Sequence, residues 1–186
     1  MAENASPCPT MGHFLEGEQC LENFPGTSPL IYFGVKSELS EPMILTDNVY
    51  SAPKFKPGKG LFKFECKDDS NSIEGSSLGK RAGYKLTVKA VLDAANKMTS
   101  KLGRPLNNLD LFAIIPDGDD FQIAYDKDRK LVFDADGIKA ETGAGGTDAR
   151  VTTITGTLSR VKYPMLYVDI DNIDTLLEGY VAPAST

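Results

Sequence analysis

The sequence predicts a mainly β fold, either a β-sandwich or a small barrel-like sheet, with one covering α-helix and a long hairpin. Three observations carry that expectation. Short apolar runs recur between glycine- and proline-rich breaks. In Tyr84-Lys85-Leu86-Thr87-Val88-Lys89-Ala90 apolar and polar residues alternate, which puts Tyr84, Leu86 and Val88 on one face of a half-buried strand. Helical spacing shows itself at Val91, Ala95, Met98 and Leu102, with Gly103 placed to end that helix and Pro105 just beyond.

A chain of 186 residues can bury one sizeable core and is short for two. One domain, residues 29–186, is therefore expected behind an N-terminal arm, residues 1–28. The arm holds Pro7, Pro9, Gly12, Gly17, Pro25 and Gly26, too closely spaced for a long helix or strand. It also holds Phe14, Leu15, Leu21 and Phe24, apolar surface that a purely solvated tail lacks. These side chains are expected to dock on the domain or on a neighbouring subunit.

Strands are expected at Leu30–Val35, Met43–Leu45 and Leu61–Cys66, and again at Val151–Ser159 and Tyr163–Val168. Phe112–Ile115 and Phe121–Tyr125 flank Pro116-Asp117-Gly118-Asp119-Asp120, a hairpin pattern. Leu131–Phe133 and Ile138 lead into Glu141–Asp148, where Gly143, Gly145 and Gly146 make ordering the backbone entropically costly. That loop reads as the tip of the long hairpin, ordered by assembly.

Twenty-six acidic against 20 basic residues give a net charge of −6, which disfavours general electrostatic binding of nucleic acid. Lys54, Lys56, Lys59, Lys63 and Lys67, interleaved with Phe55, Phe62 and Phe64, form one basic cluster. It suits a single-strand groove, but lysines guarding an edge strand explain it better. With neither a basic-then-apolar leader nor an apolar run long enough to span a bilayer, residence in the cytoplasm and no membrane partner are expected.

Catalytic, metal and cofactor sites are not expected. Gly75-Ser76-Ser77-Leu78-Gly79-Lys80-Arg81 echoes a phosphate loop but is one residue short between its glycines, and Arg81 stands where a hydroxyl should meet magnesium. Asp169–Asp174 puts Ile173 at a calcium-ligand position and Asp174 at the turn glycine. Asp126, Asp128, Asp134 and Asp136 read as solvated turn acids, and Cys8, His13 and Cys20 match no compact zinc spacing. The single histidine, His13, would have to serve any triad from a proline- and glycine-rich arm.

Cys20-Leu21-Glu22-Asn23-Phe24-Pro25-Gly26, running into Leu30-Ile31-Tyr32-Phe33, resembles the opening of tail-tube proteins from phages and related contractile injection particles of Bacteroidetes bacteria. The likeness extends through Gly75–Lys80, the Val91–Leu102 segment, the Ala113–Asp119 turn, and Gly143–Asp148 entering Val151–Ser159. It implies a homo-oligomer of stacked, hexameric rings forming a hollow tube, with a sheath or other tail proteins as partners and DNA or an effector passing without specific binding. Phe14, Leu21, Phe24, Gly143, Gly145 and Gly146 would then lie at subunit interfaces. Alternation in Val151–Ser159 places Ile154 and Leu158 on one face and Thr153, Thr155, Thr157 and Ser159 on the other. A neutral hydroxyl face suits a lumen wall, with Thr153, Thr155 and Thr157 facing inward. Two other readings remain open: a capsid or tail accessory protein, and a non-enzymatic β-sandwich that binds a ligand.

Overall fold

Two nearly continuous apolar runs, Leu30–Val35 (β1) and Leu111–Asp117 (β7), pair antiparallel in register Tyr32↔Ile114 and Val35↔Leu111. Ile31 to Val35 and Leu111 to Ile115 are buried throughout. Such runs belong to strands covered on both faces. The computed structural model describes residues 28–142 and 150–179.

The remaining strands are β2 (Leu45–Thr46), β3 (Val49–Tyr50), β4 (Phe62–Glu65), β5 (Ser72–Ser77), β6 (Tyr84–Leu92), β8 (Asp120–Ala124), β9 (Val132–Glu141), β10 (Val151–Val161) and β11 (Tyr167–Val168), with helix α1 at Lys97–Asn108. They form a seven-stranded sheet, β2-β3-β11-β8-β7-β1-β4, and a four-stranded sheet, β5-β6-β10-β9. Among the described residues neither sheet closes into a barrel, so the fold is mainly β with two open sheets and one helix.

One core joins the sheets: Ile31, Phe33, Ile115 and Ile123 of the larger and Leu86, Val88, Ala90, Ile154 and Leu158 of the smaller are within 1% of full burial. A second aromatic group is built around Phe112, which stacks with Phe55 at 6.4 Å and meets Tyr125 edge-on at 5.7 Å. Gly34 makes room for that ring, since a Cβ there would lie 2.2 Å from Phe112 Cζ.

The helix begins later than its spacing suggests. Val91 stays in β6, paired with Thr153. Asn96 and Thr99 then cap α1 reciprocally: the Thr99 N–H donates to Asn96 Oδ1 at 3.0 Å, and the Asn96 N–H donates to Thr99 Oγ1 at 3.0 Å. Gly103 and Pro105, expected to end the helix, lie inside it. Proline has no N–H for the Lys101 carbonyl, but Lys101 is exposed to water and the ladder resumes with Leu109 N–H donating to Pro105 O at 3.0 Å. Leu102 and buried Leu106 turn to the core, and Gly103 faces Ile138 of β9.

The β7–β8 hairpin is as expected: Asp117 pairs Asp120, and Gly118 takes φ +62° at the first loop position, which a two-residue turn of type II′ demands. The strands expected at 43–45 and 163–168 shrink to β2 and β11, and β5 forms where no strand was expected.

Candidate functional site

The four-stranded sheet turns one face to the core and the other outward. In β10 the buried positions are Thr152, Ile154, Gly156, Leu158 and Val161, while Thr153, Thr155 and Thr157 are half-buried on the opposite face. Cross-strand register extends that outer face: Thr153, Thr155, Thr157 and Ser159 stand opposite Val91, Lys89, Thr87 and Lys85 of β6. Lys89, Thr87 and Lys85 stand opposite Ser72, Glu74 and Ser76 of β5. On the other flank Thr153 is opposite Lys139 and Val151 opposite Glu141 of β9.

The result is a hydroxyl surface crossed by paired charges. Lys89 Nζ lies 3.0 Å from Glu74 Oε1, and Lys139 Nζ lies 2.8 Å from Glu141 Oε1. The hydrogen bond from Lys89 holds the Glu74 carboxyl below its ordinary range, and that from Lys139 to Glu141 raises the lysine. Lys85, Lys89 and Lys139 face Glu74 and Glu141, so the acidic excess of the chain is carried elsewhere. A face of this kind is wetted and carries little net field.

Its two edges are open. β5 and β9 each have one partner among the described strands. β9 is interrupted: register jumps from Ile154↔Ile138 to Gly156↔Phe133, leaving Asp134 to Gly137 as a bulge. A Cβ on Gly137 would sit 2.6 Å from Thr155 O, so the bulge requires glycine there. β9 and β10 pair up to Glu141↔Val151, forming the arms of the expected hairpin. Gly143, Gly145 and Gly146 at its tip lie outside the described residues, as do Phe14, Leu15, Leu21, Phe24, Cys8, His13 and Cys20.

The echoes of other chemistry resolve into ordinary structure. Gly75–Arg81 is the end of β5 and its turn into β6, with positive φ at Gly79 and Arg81 and no helix to receive a phosphate. In Asp169–Asp174, Asn172 Oδ1 accepts from Asp174 N–H at 3.0 Å and starts a 3-10 turn at Ile173–Leu176 that buries Ile173. Asp126 Oδ1 accepts from the N–H groups of Asp128 and Arg129, both at 2.9 Å. The carbonyls of Asp126, Lys127 and Arg129 in that turn all accept from Lys36 Nζ, at 2.6, 3.0 and 2.8 Å. An ammonium group thus satisfies the carbonyls that a bound cation would otherwise need. Partial burial lowers the Lys36 pKa, with Asp126, Asp110 and Asp128 opposing the shift. Among the described residues no three His, Cys, Asp or Glu side chains converge as metal ligands.

The lysine cluster is not a continuous strip. Lys54 pairs with Glu41 at 2.7 Å, Lys59 with Glu38 at 2.9 Å, and Lys56 donates to Ser37 O at 2.7 Å. Lys63 lies on β4, an edge of the larger sheet, with Lys67 just beyond. Sequence reasoning found the threonine row through its period of two; it missed Ser72, Ser76 and Thr87, which only register brings alongside. Comparison with protein-family models, curated proteins and solved structures finds no match to the chain.

Proposed function

We propose that this chain is a self-assembling conduit subunit, a tail-tube protein of a phage or related contractile injection particle, made in the bacterial cytoplasm and built into the tail. The observation that carries the reading is the four-stranded sheet with a hydroxyl outer face and an open strand edge at each side. Copies related by rotation join the β5 edge of one to the Ile138–Glu141 stretch of β9 in the next, and every such contact is identical and heterologous. Closure removes the open edges, which otherwise invite uncontrolled pairing.

The hydroxyl face then lines the lumen. Six four-stranded sheets laid side by side span about 115 Å at the strand spacing of about 4.8 Å, giving a bore of about 37 Å between backbones before strand tilt widens it. Serine and threonine hydroxyls and mutually paired charges hydrate such a wall without offering a polyanion a row of free cations. DNA or an effector passes without specific contact, and the reading assigns the chain no catalysis.

Negative-stain microscopy of the purified protein tests this. Rings or tubes of uniform width are expected. Trimers would favour a capsid or accessory protein, monodisperse monomers at every concentration would favour a ligand-binding module, and either would overturn the proposal.

A further inference from the structure

The turn that joins β5 to β6 lies at one end of the smaller sheet, and residues 78–82 are exposed throughout. Ala82 N–H donates to Gly79 O at 3.1 Å and closes a four-residue turn in which Arg81 stands third, at φ +65°. That place ordinarily goes to glycine or asparagine, and a long side chain held there is strained. Arg160, at the irregularity that ends the β6–β10 ladder, is held at φ +63° in the same way. It lies at the same end of the sheet, because a Cβ on Gly83 would stand 3.4 Å from Arg160 Cα. Asp47 and Asp69, the other non-glycine residues at positive φ among the described residues, are of a type that tolerates it.

Arg81 and Arg160 form no ion pair among the described residues, and neither do Lys80, Lys85 and Lys162 around them. The acids at this end are already engaged. Glu74 holds Lys89 at 3.0 Å, Asp126 lies 3.9 Å from Arg129, whose guanidinium donates to Arg160 O, and Asp128 has Lys127 beside it in the chain. The opposite imbalance is found on the larger sheet. A groove of about 270 Å³ beside β8 and β11 is lined by Asp119, Asp120 and Asp169 with Val49, Phe121 and Tyr167, and no basic side chain lines it. None of the three carboxylates has an ion pair among the described residues. Register sets Asp120 directly opposite Asp117, a like-charge pair that costs stability until a cation meets it. Gln122, opposite Tyr167 and 7% exposed, gives its Nε2 to Asp117 and leaves Oε1 without a partner. The region is rich in acceptors and poor in donors.

We propose that the β5–β6 turn docks in this groove on a second copy of the chain, with Arg81 and Lys80 meeting Asp119, Asp120 and Asp169 while Leu78 packs on Val49. Leu78 and Val49 are 41% and 38% exposed, so each side offers an apolar contact beside its charges. Arginine suits the groove in two ways: its planar fork matches carboxylate geometry, and its face stacks on rings such as Phe121 and Tyr167. Turn and groove share no ion pair within the chain, so both stay open to a neighbour, and every copy carries both halves of the contact. The contact takes no hydrogen bond from the outer edges of β5 and β9. It therefore adds a link between copies beyond the edge pairing, and it stands whether or not rings close. Small in area and charged, it holds weakly by itself and is screened by salt.

Disulfide trapping in the full chain, carrying Cys8→Ser and Cys20→Ser with Cys66 buried, tests the inference. A chain with Leu78→Cys and a chain with Val49→Cys, mixed in a glutathione buffer, should form a mixed dimer in clear excess over either homodimer. Lys80→Glu with Arg81→Glu on the first chain, both on the exposed turn, should reduce the mixed dimer about tenfold. Adding Asp119→Lys, Asp120→Lys and Asp169→Lys to the second should restore it. Homodimers in equal yield, a mixed dimer indifferent to the first reversal, or no restoration by the second would each overturn the proposal, as would capture of a short oligonucleotide by the turn in place of the second copy. These substitutions leave the outer edges of β5 and β9 untouched, so edge pairing is judged separately, by microscopy.

Discussion

A Cβ on Gly75 would lie 1.7 Å from the carbonyl oxygen of Pro164, far inside van der Waals contact. The obstacle is backbone, so no side-chain rotation relieves it. Gly75 pairs with Leu86 in the β5–β6 ladder, and the chain at Pro164 crosses directly over it. Gly75 is therefore where the edge strand of the hydroxyl sheet is pinned to the segment leading into β11.

Gly75→Ala should accordingly cost about 3 kcal/mol or more, beyond the usual range for overpacking by one methyl group. Gly118→Ala is the contrast: φ is +62° but a Cβ there meets nothing within 4 Å, so it should cost about 1 kcal/mol from the left-handed backbone alone. Urea unfolding of both variants measures the difference. Equal losses would mean that Pro164 yields and that β5 is not held as described.

Gly103→Ala should stabilise the protein. The glycine sits inside α1, where its backbone freedom costs about 0.5–1 kcal/mol relative to alanine, and a Cβ would meet Ile138 Cγ2 at an ordinary 3.7 Å. For a domain of this size the melting temperature should rise by about 2 °C. A fall would show that α1 and β9 pack too closely for even one methyl group.

The helix shows how far the sequence was legible. The Val91–Leu102 spacing located a helix, but the spacing of Val91 belongs equally to the alternation of β6, and pairing with Thr153 decides it for the strand. The signal that sets the true start is local: Asn96 and Thr99, three residues apart, form a cap whose polar character no apolar periodicity reports. Gly103 and Pro105 were misread because helix-ending residues are tolerated where the freed carbonyl faces water. Thr153, Thr155 and Thr157 were legible as one face because a period of two is written in a single strand. That Lys89 crosses from Thr155 to Glu74 was not, because register is fixed by the whole sheet.

Stability should fall in alkali from two buried groups. Burial pushes the Cys66 thiol up from 9.0 to about 11, and burial, then Asp126 and Tyr125, pushes the Tyr50 phenol up from 10.0 to about 12. Each group is neutral when protonated, and the folded chain holds the proton more tightly than the unfolded one. Their contribution is intact below the ordinary values and is lost as pH rises through 9–11 for Cys66 and 10–12 for Tyr50. The urea midpoint should thus be lower at about pH 10.5 than at about pH 7.5, and Cys66→Ala should delay the onset of the decline. A midpoint independent of pH over that range would contradict both assignments.

The side of the wall that carries the hydroxyl face is open to a direct chemical measurement. Thr155 lies midway along β10 on the outer face, opposite Lys89 and away from the core. In a chain carrying Cys8→Ser and Cys20→Ser, Thr155→Cys adds a half-exposed thiol while Cys66 stays buried and protonated. A surface substitution of this kind should change stability by less than about 0.5 kcal/mol. In the monomer a small maleimide and a maleimide carried on a large polymer should both react. After assembly the small reagent should still diffuse along the bore, whereas the polymer should be excluded, because side chains reaching about 5 Å from each wall narrow a 37 Å bore to about 27 Å. Equal labelling by the polymer before and after assembly would put Thr155 on the outside of the particle. The four-stranded sheet would then be its outer coat, and the conduit would have to be lined by the larger sheet instead.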